Sequence, residues 1–586
     1  MHGSSKPQNS VTLNEGLLSF STMDALDPLR SQIMNLLYTT ISVVATAVVL
    51  PMPLHAQSVE SRDFSSKAPR FTFANSLPEQ KAQLRNNPFL QQQRELRQKY
   101  SADPQSPAYH FSNPAVRLND PNGLCYWQGR WHLFYQAQPV EDRRWHWAHA
   151  VSSDLIHWRD LPYAIYPDPE EQSYSGSMLI EKDRAIAMYH GRNLGNMVAV
   201  SHDPLLLNWE KVSGDTVVPI DEGGRKHHFL SAESLPYRIY DPCIWKEDGT
   251  YYSLSGSVDY DSLGDRPVPA EFLFSSQDLV KWEFVHQFLE NDRFTQVGDD
   301  GACPYFWPIG DRHILLFFSH TSSAQYLLGD YDKERKKFSP TSHGRFNFGP
   351  VSPGGVHAPS ATPDGKGGVL VMFNMNPSVT GDGAHGIMTL PRRLALVGKD
   401  ELSIEPAGDI ASLRGKQHQI GPMRLPPNEE IILHEIKGNT LELIAEIDPK
   451  DAPMVELKVL RSPNREEMTR ILLFKDRSIT SRFMPPQHKL SIVTLDGTRA
   501  SQAPDAISRP PETAPVLIPA GEPFRLRVFI DRGVVEVFVN DRQCLAIRAR
   551  PGRPDSLGIS LTSLGQEAQL TSLTAWEMKN IFELGN

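Results

Sequence analysis

The chain has 586 residues, of which 40% are hydrophobic and 22% are charged. This composition is typical of folded globular proteins and excludes a disordered chain. The 59 basic and 69 acidic residues give a net charge of −10, and without a dense basic stretch they argue against a nucleic-acid partner. Four cysteines are too few for a disulfide scaffold, whereas 47 prolines and 39 glycines favour an all-β chain.

The first distinctive element is an apolar stretch near the amino terminus. Residues 36–54 contain no charged side chain, Arg30 precedes them, and Ala56 ends a candidate cleavage site. We therefore interpret residues 1–56 as a secretory leader and expect an exported protein, periplasmic or secreted. The alternative is an uncleaved N-terminal membrane anchor, since about 20 apolar residues span a bilayer. No later segment is a candidate integral membrane domain.

Residues 57–106 are interpreted as an N-terminal extension that is partly helical. The stretch from Pro78 to Tyr100 is rich in Gln, Arg and Leu, which predicts a solvated helix.

A repeat dominates residues 107–406. A short apolar strand recurs five times, and a Ser-x-Asp turn followed by an aromatic residue recurs out of phase with it. Five such units predict a five-bladed β-propeller, whose blades bury their faces against one another. The predicted strands are Trp131–Gln136, Ala185–His190, Tyr251–Gly256, His313–Phe318 and Val369–Asn374.

The pattern changes after the propeller. Residues 407–424 are predicted to be a linker with a short helix. Residues 425–586 are predicted to be a β-sandwich, because Leu526, Val528 and Ile530 alternate with polar residues before a turn and a second alternating strand.

An X-Pro dipeptide opens four of the predicted innermost strands, including Asp120-Pro121 and Asp241-Pro242. One Asp-Pro pair most often caps a turn. Two at equivalent repeat positions place two carboxylates across the mouth of the central channel, and paired carboxylates are the usual equipment for glycoside cleavage. Aromatic side chains that could pack against sugar faces occur nearby; they are Trp127, Trp145, Trp147 and Trp245.

Several ordered motifs resemble glycoside hydrolase family 32, the invertase, levanase and inulinase family of β-fructofuranosidases. The similarity runs from about residue 109 to 580. The motifs are Leu118–Gly123, Trp131–Gln136, Trp147–Ser152, Tyr174–Ser177, Phe529–Arg532 and Val535–Phe538.

The resemblance implies a role for individual residues. Asp120 would be the nucleophile of a retaining mechanism, and Asp241 would stabilise the transition state. No metal and no organic cofactor are implied, and the partner would be sucrose or a fructan. The residues implied to bind the fructosyl unit are Asn119, Gln136, Trp147 and Ser175.

Two positions depart from the family pattern. Tyr240, which we place among the substrate-binding residues, stands where the family usually has Arg. Ala302 stands at the first position of Ala302-Cys303-Pro304, where the family usually has its acid/base Glu.

The missing acid requires another proton donor. Residues two apart in a strand share a face, so we predict that Asp300 supplies the proton, with Asp299 as the second choice. Glu233, Glu271 and His357 are further candidates.

We therefore expect an exported hydrolase that cleaves terminal β-fructofuranosyl linkages through a fructosyl-enzyme. Three alternatives stay open: a fructosyltransferase of the same fold, a propeller glycosidase for other furanosides, and a catalytically weak carbohydrate-binding protein. Oligomeric state is not predicted.

Overall fold

The computed structural model describes residues 65–220, 235–259, 268–269, 271–377, 386–477, 490–519 and 521–582. Contacts divide the chain into Met1–Arg62 and Asp63–Asn586, and every described residue belongs to the second unit. The proposed leader therefore lies outside the described residues. Where the structure is described, no helix is both long and apolar enough to cross a bilayer.

Two helices, α1 (Leu77–Arg85) and α2 (Pro88–Ser101), form where one solvated helix is predicted. The break falls at Asn87, whose side chain accepts a hydrogen bond from Leu90 N and so caps α2. The helices also pack more closely than predicted: the buried Gln80 donates to Asp203, and Arg97 binds Asp160 through two nitrogens.

Residues 117–406 form five antiparallel sheets in chain order. The first contains β1 (Arg117–Trp127), β2 (Arg130–Gln138), β3 (His146–Ser152) and β4 (Arg159–Ile165). The second contains β5 (Ser173–Ile180), β6 (Ala185–Gly191), β7 (Gly195–Ser201), β8 (Glu210–Lys211) and β9 (Val218–Pro219). The third is β10 (Pro242–Glu247), β11 (Thr250–Ser255), β14 (Phe272–Ser276) and β15 (Trp282–Gln287), with the pair β12 (Val258–Asp259) and β13 (Val268–Pro269) inserted. The fourth contains β16 (Ala302–Ile309), β17 (Arg312–Ser319), β18 (Ser323–Asp332) and β19 (Lys337–Arg345). The fifth contains β20 (Val356–Pro363), β21 (Val369–Met375), β22 (Ile387–Met388), β23 (Arg392–Val397) and β24 (Glu401–Pro406).

The first strands of these sheets form the inside of a ring. β1 contacts β5, β5 contacts β10, β10 contacts β16, β16 contacts β20, and β20 contacts β1 again. This closed arrangement is a β-propeller, in which each sheet buries both faces against its neighbours. The X-Pro dipeptides lie near the starts of inner strands, either at the first residue, as Pro242 does, or at an irregularity of the strand register, and both places tolerate a missing backbone donor.

A 3₁₀ helix (Ile410–Leu413) connects the propeller to a two-sheet sandwich. One sheet has the order β25-β37-β28-β33-β34-β35, with β26 paired to β37, and the other has the order β27-β36-β29-β30-β31-β32. The strands are β25 (Arg414–Ile420), β26 (Met423–Leu425), β27 (Glu430–Lys437), β28 (Thr440–Asp448), β29 (Met454–Arg461), β30 (Thr469–Phe474), β31 (Leu490–Asp496), β32 (Glu512–Leu517), β33 (Phe524–Asp531), β34 (Val534–Val539), β35 (Gln543–Arg548), β36 (Gly558–Leu564) and β37 (Ala568–Met578).

The predicted propeller followed by a sandwich is thus confirmed, with one correction. The segment 407–424 is not only a linker, because β25 and the start of β26 pair with β37 and extend the sandwich sheet. Its polar composition hid these strands, since β25 lies at a sheet edge and exposes most of its side chains.

The sheet containing β33 and β34 is buried on both faces. Leu526, Val528 and Ile530 face the other sheet, as their alternation predicts. Phe529 and Phe538 point the opposite way and join a core shared with the propeller. The propeller and sandwich therefore meet across a continuous apolar interface.

Candidate active site

The inner strands surround a cavity of about 640 Å³. Its walls come from the first and second strands of several sheets, so the ring itself positions the side chains. The lining residues are Asn119, Asp120, Gln136, Trp145, Tyr174, Ser175, His190, Tyr240, Asp241, Gly298, Asp300, Ala302, Cys303, Phe318, His320, Thr321 and His357.

Asp120 lies on β1 and is almost fully buried. One carboxylate oxygen accepts a hydrogen bond from the Ser175 hydroxyl at 2.7 Å. The other lies 3.0 Å from Nδ1 of His357 on β20. Burial by itself raises the pKa of Asp120, but His357 and Ser175 outweigh it and hold that pKa below its usual range. Asp120 is therefore an ionised carboxylate at neutral pH.

Asp241 lies just before β10, on the other side of Cys303. Its carboxylate accepts hydrogen bonds from Cys303 N at 3.1 Å and Sγ at 3.3 Å. The same Sγ lies 3.8 Å from Asp120 Oδ2, so one thiol bridges the two acids. Burial, together with the charge of Asp120, raises the pKa of Asp241 to about 6. The prediction that these two carboxylates face one space agrees with this geometry.

A chain of amides orients the nucleophile candidate. Asn374 donates to Asn119, which donates to Gln136 at 3.1 Å, and Gln136 donates to the Ser175 hydroxyl at 2.7 Å. Ser175 then donates to Asp120. Asn119, Gln136 and Ser175 all line the cavity, and their binding of the fructosyl unit stays a prediction.

Trp147 is in a different place from that predicted. It is completely buried between Phe134 and Tyr189 and does not line the cavity. Trp145, two residues earlier and just before β3, lines the cavity instead. Trp127 and Trp245 are core residues as well. The motif locates the strand correctly, but packing against the neighbouring sheet determines which Trp ring is buried and which lines the cavity.

Asp300 lines the cavity, but the strand argument that selected it is wrong. β16 begins at Ala302, and Gly301 has a left-handed backbone (φ +58°), so Asp300 lies outside the strand. Its carboxylate is held by His320, with Nδ1 at 2.6 Å and the backbone N at 3.0 Å. Asp299 is fully buried and bonded to Ser322 and Gln296 N, away from the cavity.

Tyr240 lines the cavity, and its role in substrate binding stays a prediction. Its hydroxyl donates to the backbone oxygen of Asp300. Tyr240 therefore positions the loop that carries Asp300, in addition to forming part of the wall.

The sequence reasoning missed several lining residues, notably His190, His320 and Tyr174. A signal was present: in four sheets a polar residue lies close to the carboxyl end of the second strand or directly after it. These residues are Gln136, His190, His320 and Asn374. Three of the four line the cavity, and Asn374 supports Asn119. Within the described residues, no cluster of three or more His, Cys, Asp or Glu is arranged to hold a metal ion.

Of the other proton-donor candidates, Glu233 lies outside the described residues. Glu271 is fully buried behind the site, and neither carboxyl oxygen has a hydrogen-bond partner among the described residues. A Cβ at Gly301 would lie 2.6 Å from Glu271 Oε1, which together with the left-handed backbone requires glycine there. Burial and the nearby Asp292 raise the pKa of Glu271 to about 8. Glu271 is therefore protonated at neutral pH.

Glu271→Gln is expected to become progressively more stable than the wild type as pH rises. The native carboxyl keeps a proton that the unfolded chain releases above pH 4.5. The free energy of unfolding of the wild type therefore falls by about 3 kcal/mol between pH 4.5 and 7. Urea unfolding of both proteins across this range measures the difference. Glu283→Gln, at an exposed position on β15 of the same sheet, is the control. A pH-independent difference for Glu271→Gln would contradict the expectation.

Paired buried carboxylates in the cavity of a β-propeller define the class of this protein: it is a glycosidase. The comparisons agree and give the family. The N-terminal domain model of glycosyl hydrolases family 32 matches residues 110–406, and the C-terminal model of that family matches residues 409–577. The chain belongs to glycoside hydrolase family 32.

Similar proteins have related names. A sucrose-6-phosphate hydrolase of Zymomonas mobilis is 26% identical over 505 residues, which cover 81% of this chain and 92% of that protein. A levanase of Bacillus subtilis is 26% identical over 529 residues, covering 81% and 71%. The crystal structure of fructan 1-exohydrolase IIa from Cichorium intybus has a TM-score of 0.69 at 21% identity, covering 82% of this chain and 98% of that chain.

Proposed function

We propose that the protein is a retaining β-fructofuranosidase that releases terminal fructosyl units from sucrose or fructans. Asp120 attacks the anomeric C2 of fructose and forms a fructosyl-enzyme, which water then hydrolyses. Asp241 stabilises the oxocarbenium-like transition state with a fixed negative charge. The observation that carries the proposal is the pair of buried carboxylates, Asp120 and Asp241, on either side of Cys303 in one cavity.

The charge of the cavity favours a neutral sugar over a phosphorylated one. Asp120, Asp241 and Asp300 line it, and neither Lys nor Arg is among its described lining residues. A phosphate ester would be repelled by the acids and would lack the guanidinium or ammonium partner that phosphate recognition uses. The names of the relatives include both a phosphorylated and a neutral substrate, so the preference for a neutral sugar rests on the charge of this cavity alone.

Incubation of the full chain with sucrose, inulin, levan and sucrose-6-phosphate tests the proposal. Chromatography should detect free fructose from at least one neutral substrate and much less from the phosphate ester. NMR at early times should find the released fructose in the β configuration, as retention requires. Transfer products in place of fructose at high sucrose would indicate a fructosyltransferase instead. Failure to cleave any of these by a folded protein would overturn the proposal and point to other furanosides or to a binding role.

The low-pH limb of the profile of kcat/KM against pH should reflect the ionisation of Asp241. Because Asp241 stabilises positive charge only when ionised, kcat/KM should fall as pH decreases through about 6, the pKa of its carboxyl. Cys303→Ala removes the Sγ hydrogen bond that lowers this pKa and should move the limb to higher pH. Profiles of both proteins between pH 4 and 9 measure the shift. Wild-type activity that stayed constant down to pH 4.5 would contradict this role.

We also propose that the protein is exported, on the basis of the apolar run at residues 36–54. N-terminal sequencing of the protein recovered outside the cytoplasm tests this, with a start at Gln57 as the expected result. Recovery from the membrane with the apolar run intact would indicate an anchor.

A further inference from the structure

A proton donor for the leaving sugar must exist in this cavity, and Ala302 cannot supply one. Cleavage of a glycosidic bond leaves a poor alkoxide unless an acid protonates the departing oxygen. In a retaining reaction this acid lies on the side of the sugar opposite to the nucleophile. The donor must therefore be an ionisable group of the cavity wall that does not contact Asp120.

Most ionisable groups of the described wall cannot be this donor, because they contact Asp120 or cannot give up a proton at neutral pH. The Cys303 thiol and the Tyr174 and Tyr240 phenols have pKa values raised by burial, so they are weak acids at neutral pH. Burial lowers the pKa of His190 to about 4, so its ring carries no spare proton. His357 lies 3.0 Å from Asp120, so it contacts the nucleophile itself and does not meet this requirement.

With Asp241 already assigned to stabilise the transition state, His320 and Asp300 remain, and they act as one unit. His320 follows β17 directly and lines the cavity, in the sheet that lies between β10 and β20 in the ring. Its Nδ1 lies 2.6 Å from Asp300 Oδ2, and its backbone N donates to Asp300 Oδ1 at 3.0 Å. Both Asp300 oxygens thus act as acceptors, and the ring is held with Nε2 making no hydrogen bond within the described residues.

The charges around His320 favour its protonated form. The hydrogen bond to Asp300 raises the pKa of His320 above its usual value, against the opposing effect of burial. The carboxylates of Asp241 and Asp120 act in the same direction. These three acids are the charged groups that face the ring from β1, from the start of β10 and from the loop before β16. An imidazolium is therefore present at the pH where Asp120 and Asp241 are both ionised.

We propose that His320 is the general acid and base of this glycosidase, and that Asp300 is the positioning residue that holds its ring. The proposal rests on the proposed fructosidase function. It replaces the predicted donor Asp300 with its hydrogen-bond partner, and it assigns the reaction a proton donor outside the Ala302 position.

His320 gives up a proton in the first step and regains one in the second. When Asp120 attacks C2, the C2–O bond breaks, its electron pair goes to the leaving oxygen, and His320 Nε2 gives that oxygen its proton. Neutral His320 then takes a proton from water while the water oxygen attacks C2. The bond from C2 to Asp120 breaks, the carboxylate is restored, and His320 is again an imidazolium.

A leaving group that needs no proton separates this role from a structural one. His320→Gln in the full chain should reduce kcat/KM for sucrose by about 10²–10⁴-fold. With β-fructofuranosyl fluoride the same variant should release a burst of fluoride equal to the enzyme concentration, because fluoride departs without protonation. Azide, which attacks without a general base, should then restore steady turnover and yield fructosyl azide.

Controls distinguish this proposal from the function on which it rests. Wild type that cleaves neither sucrose nor the fluoride would overturn the fructosidase proposal itself. Active wild type with a His320→Gln variant that keeps sucrose cleavage within a few-fold, or that loses both substrates equally, would overturn the role of His320 alone. His202→Gln, at an exposed position after β7, should match the wild type.

The positioning role of Asp300 has its own readout. Asp300→Asn removes the interaction that raises the pKa of His320, so the alkaline limb of kcat/KM should move to lower pH while the fluoride burst persists. An alkaline limb at the same pH in Asp300→Asn as in the wild type would contradict the positioning role of Asp300. Glu233→Gln and Glu271→Gln are tested in parallel. If either variant lost sucrose cleavage, kept the fluoride burst and recovered turnover with azide, that residue would be the acid and the proposal would be overturned.

Discussion

Asp120→Asn should reduce fructose release by about 10⁴-fold or more while the protein stays folded. The amide keeps the size of the carboxylate but cannot form the ester bond to C2, and loss of a nucleophile typically removes most of the catalytic rate. The Ser175 hydroxyl can still donate to the remaining carbonyl oxygen, so the local structure should be preserved. Free fructose from the preferred substrate and the thermal unfolding midpoint are the two measurements.

The control is Asp183→Asn, which makes the same change at an exposed turn before β6. It should leave activity unchanged. Mass spectrometry of acid-quenched wild type should find one hexosyl unit on the peptide containing Asp120, and the Asp120→Asn variant should lack it. Activity within ten-fold of wild type in Asp120→Asn would exclude Asp120 as the nucleophile.

The largest effect on stability should come from a buried charge cluster between the propeller and the sandwich. His110 donates through Nδ1 to Asp531 at 2.9 Å and through Nε2 to Glu536 at 3.0 Å, and all three side chains are fully buried. Arg392 of the propeller binds the other Glu536 oxygen at 2.9 Å. Despite burial, the two acids raise the pKa of His110 to about 9. The cluster therefore contains a buried imidazolium that joins the two domains.

His110→Gln should destabilise the protein by about 3–5 kcal/mol, because it leaves two buried carboxylates without their shared cation. The loss should depend on pH. The folded pKa lies above the unfolded value of 6.5, so the stabilisation is complete below pH 6.5 and is lost as pH rises through about 9. The gap in free energy of unfolding between the wild type and His110→Gln should thus narrow by about 3 kcal/mol over this range.

Urea unfolding of both proteins at pH 6 and pH 9.5 measures the gap. His434→Gln, at an exposed position of β27, controls for the loss of an imidazole in the sandwich. If His110→Gln does not fold, the free energy of unfolding of the wild type should by itself fall as pH rises from 6.5 to about 9, and the same fall should be seen in His434→Gln, which keeps His110. A gap that stayed constant with pH would contradict a charged His110.

The sequence alone determined the architecture and predicted two carboxylates that line the same cavity. Its repeat marked the second strand of every propeller sheet, because a strand buried on both faces must be a continuous apolar run. The X-Pro dipeptides marked the inner strands, and from them Asp120 and Asp241 followed without any coordinates. The alternation of Leu526, Val528 and Ile530 likewise determined one face of the sandwich.

Only the tertiary structure decided which side chains complete the site. Trp145 and Trp147 are two residues apart, so strand alternation alone would place them on the same face. The neighbouring sheet instead buries Trp147 and leaves Trp145 on the cavity wall. Phe529 and Phe538 are buried because a second domain covers their face. His320 meets Asp300 across twenty residues of chain, through a loop whose path depends on Gly301 and Tyr240. Strand periodicity describes one element at a time, whereas these contacts arise between elements, where packing and loop geometry outweigh local pattern.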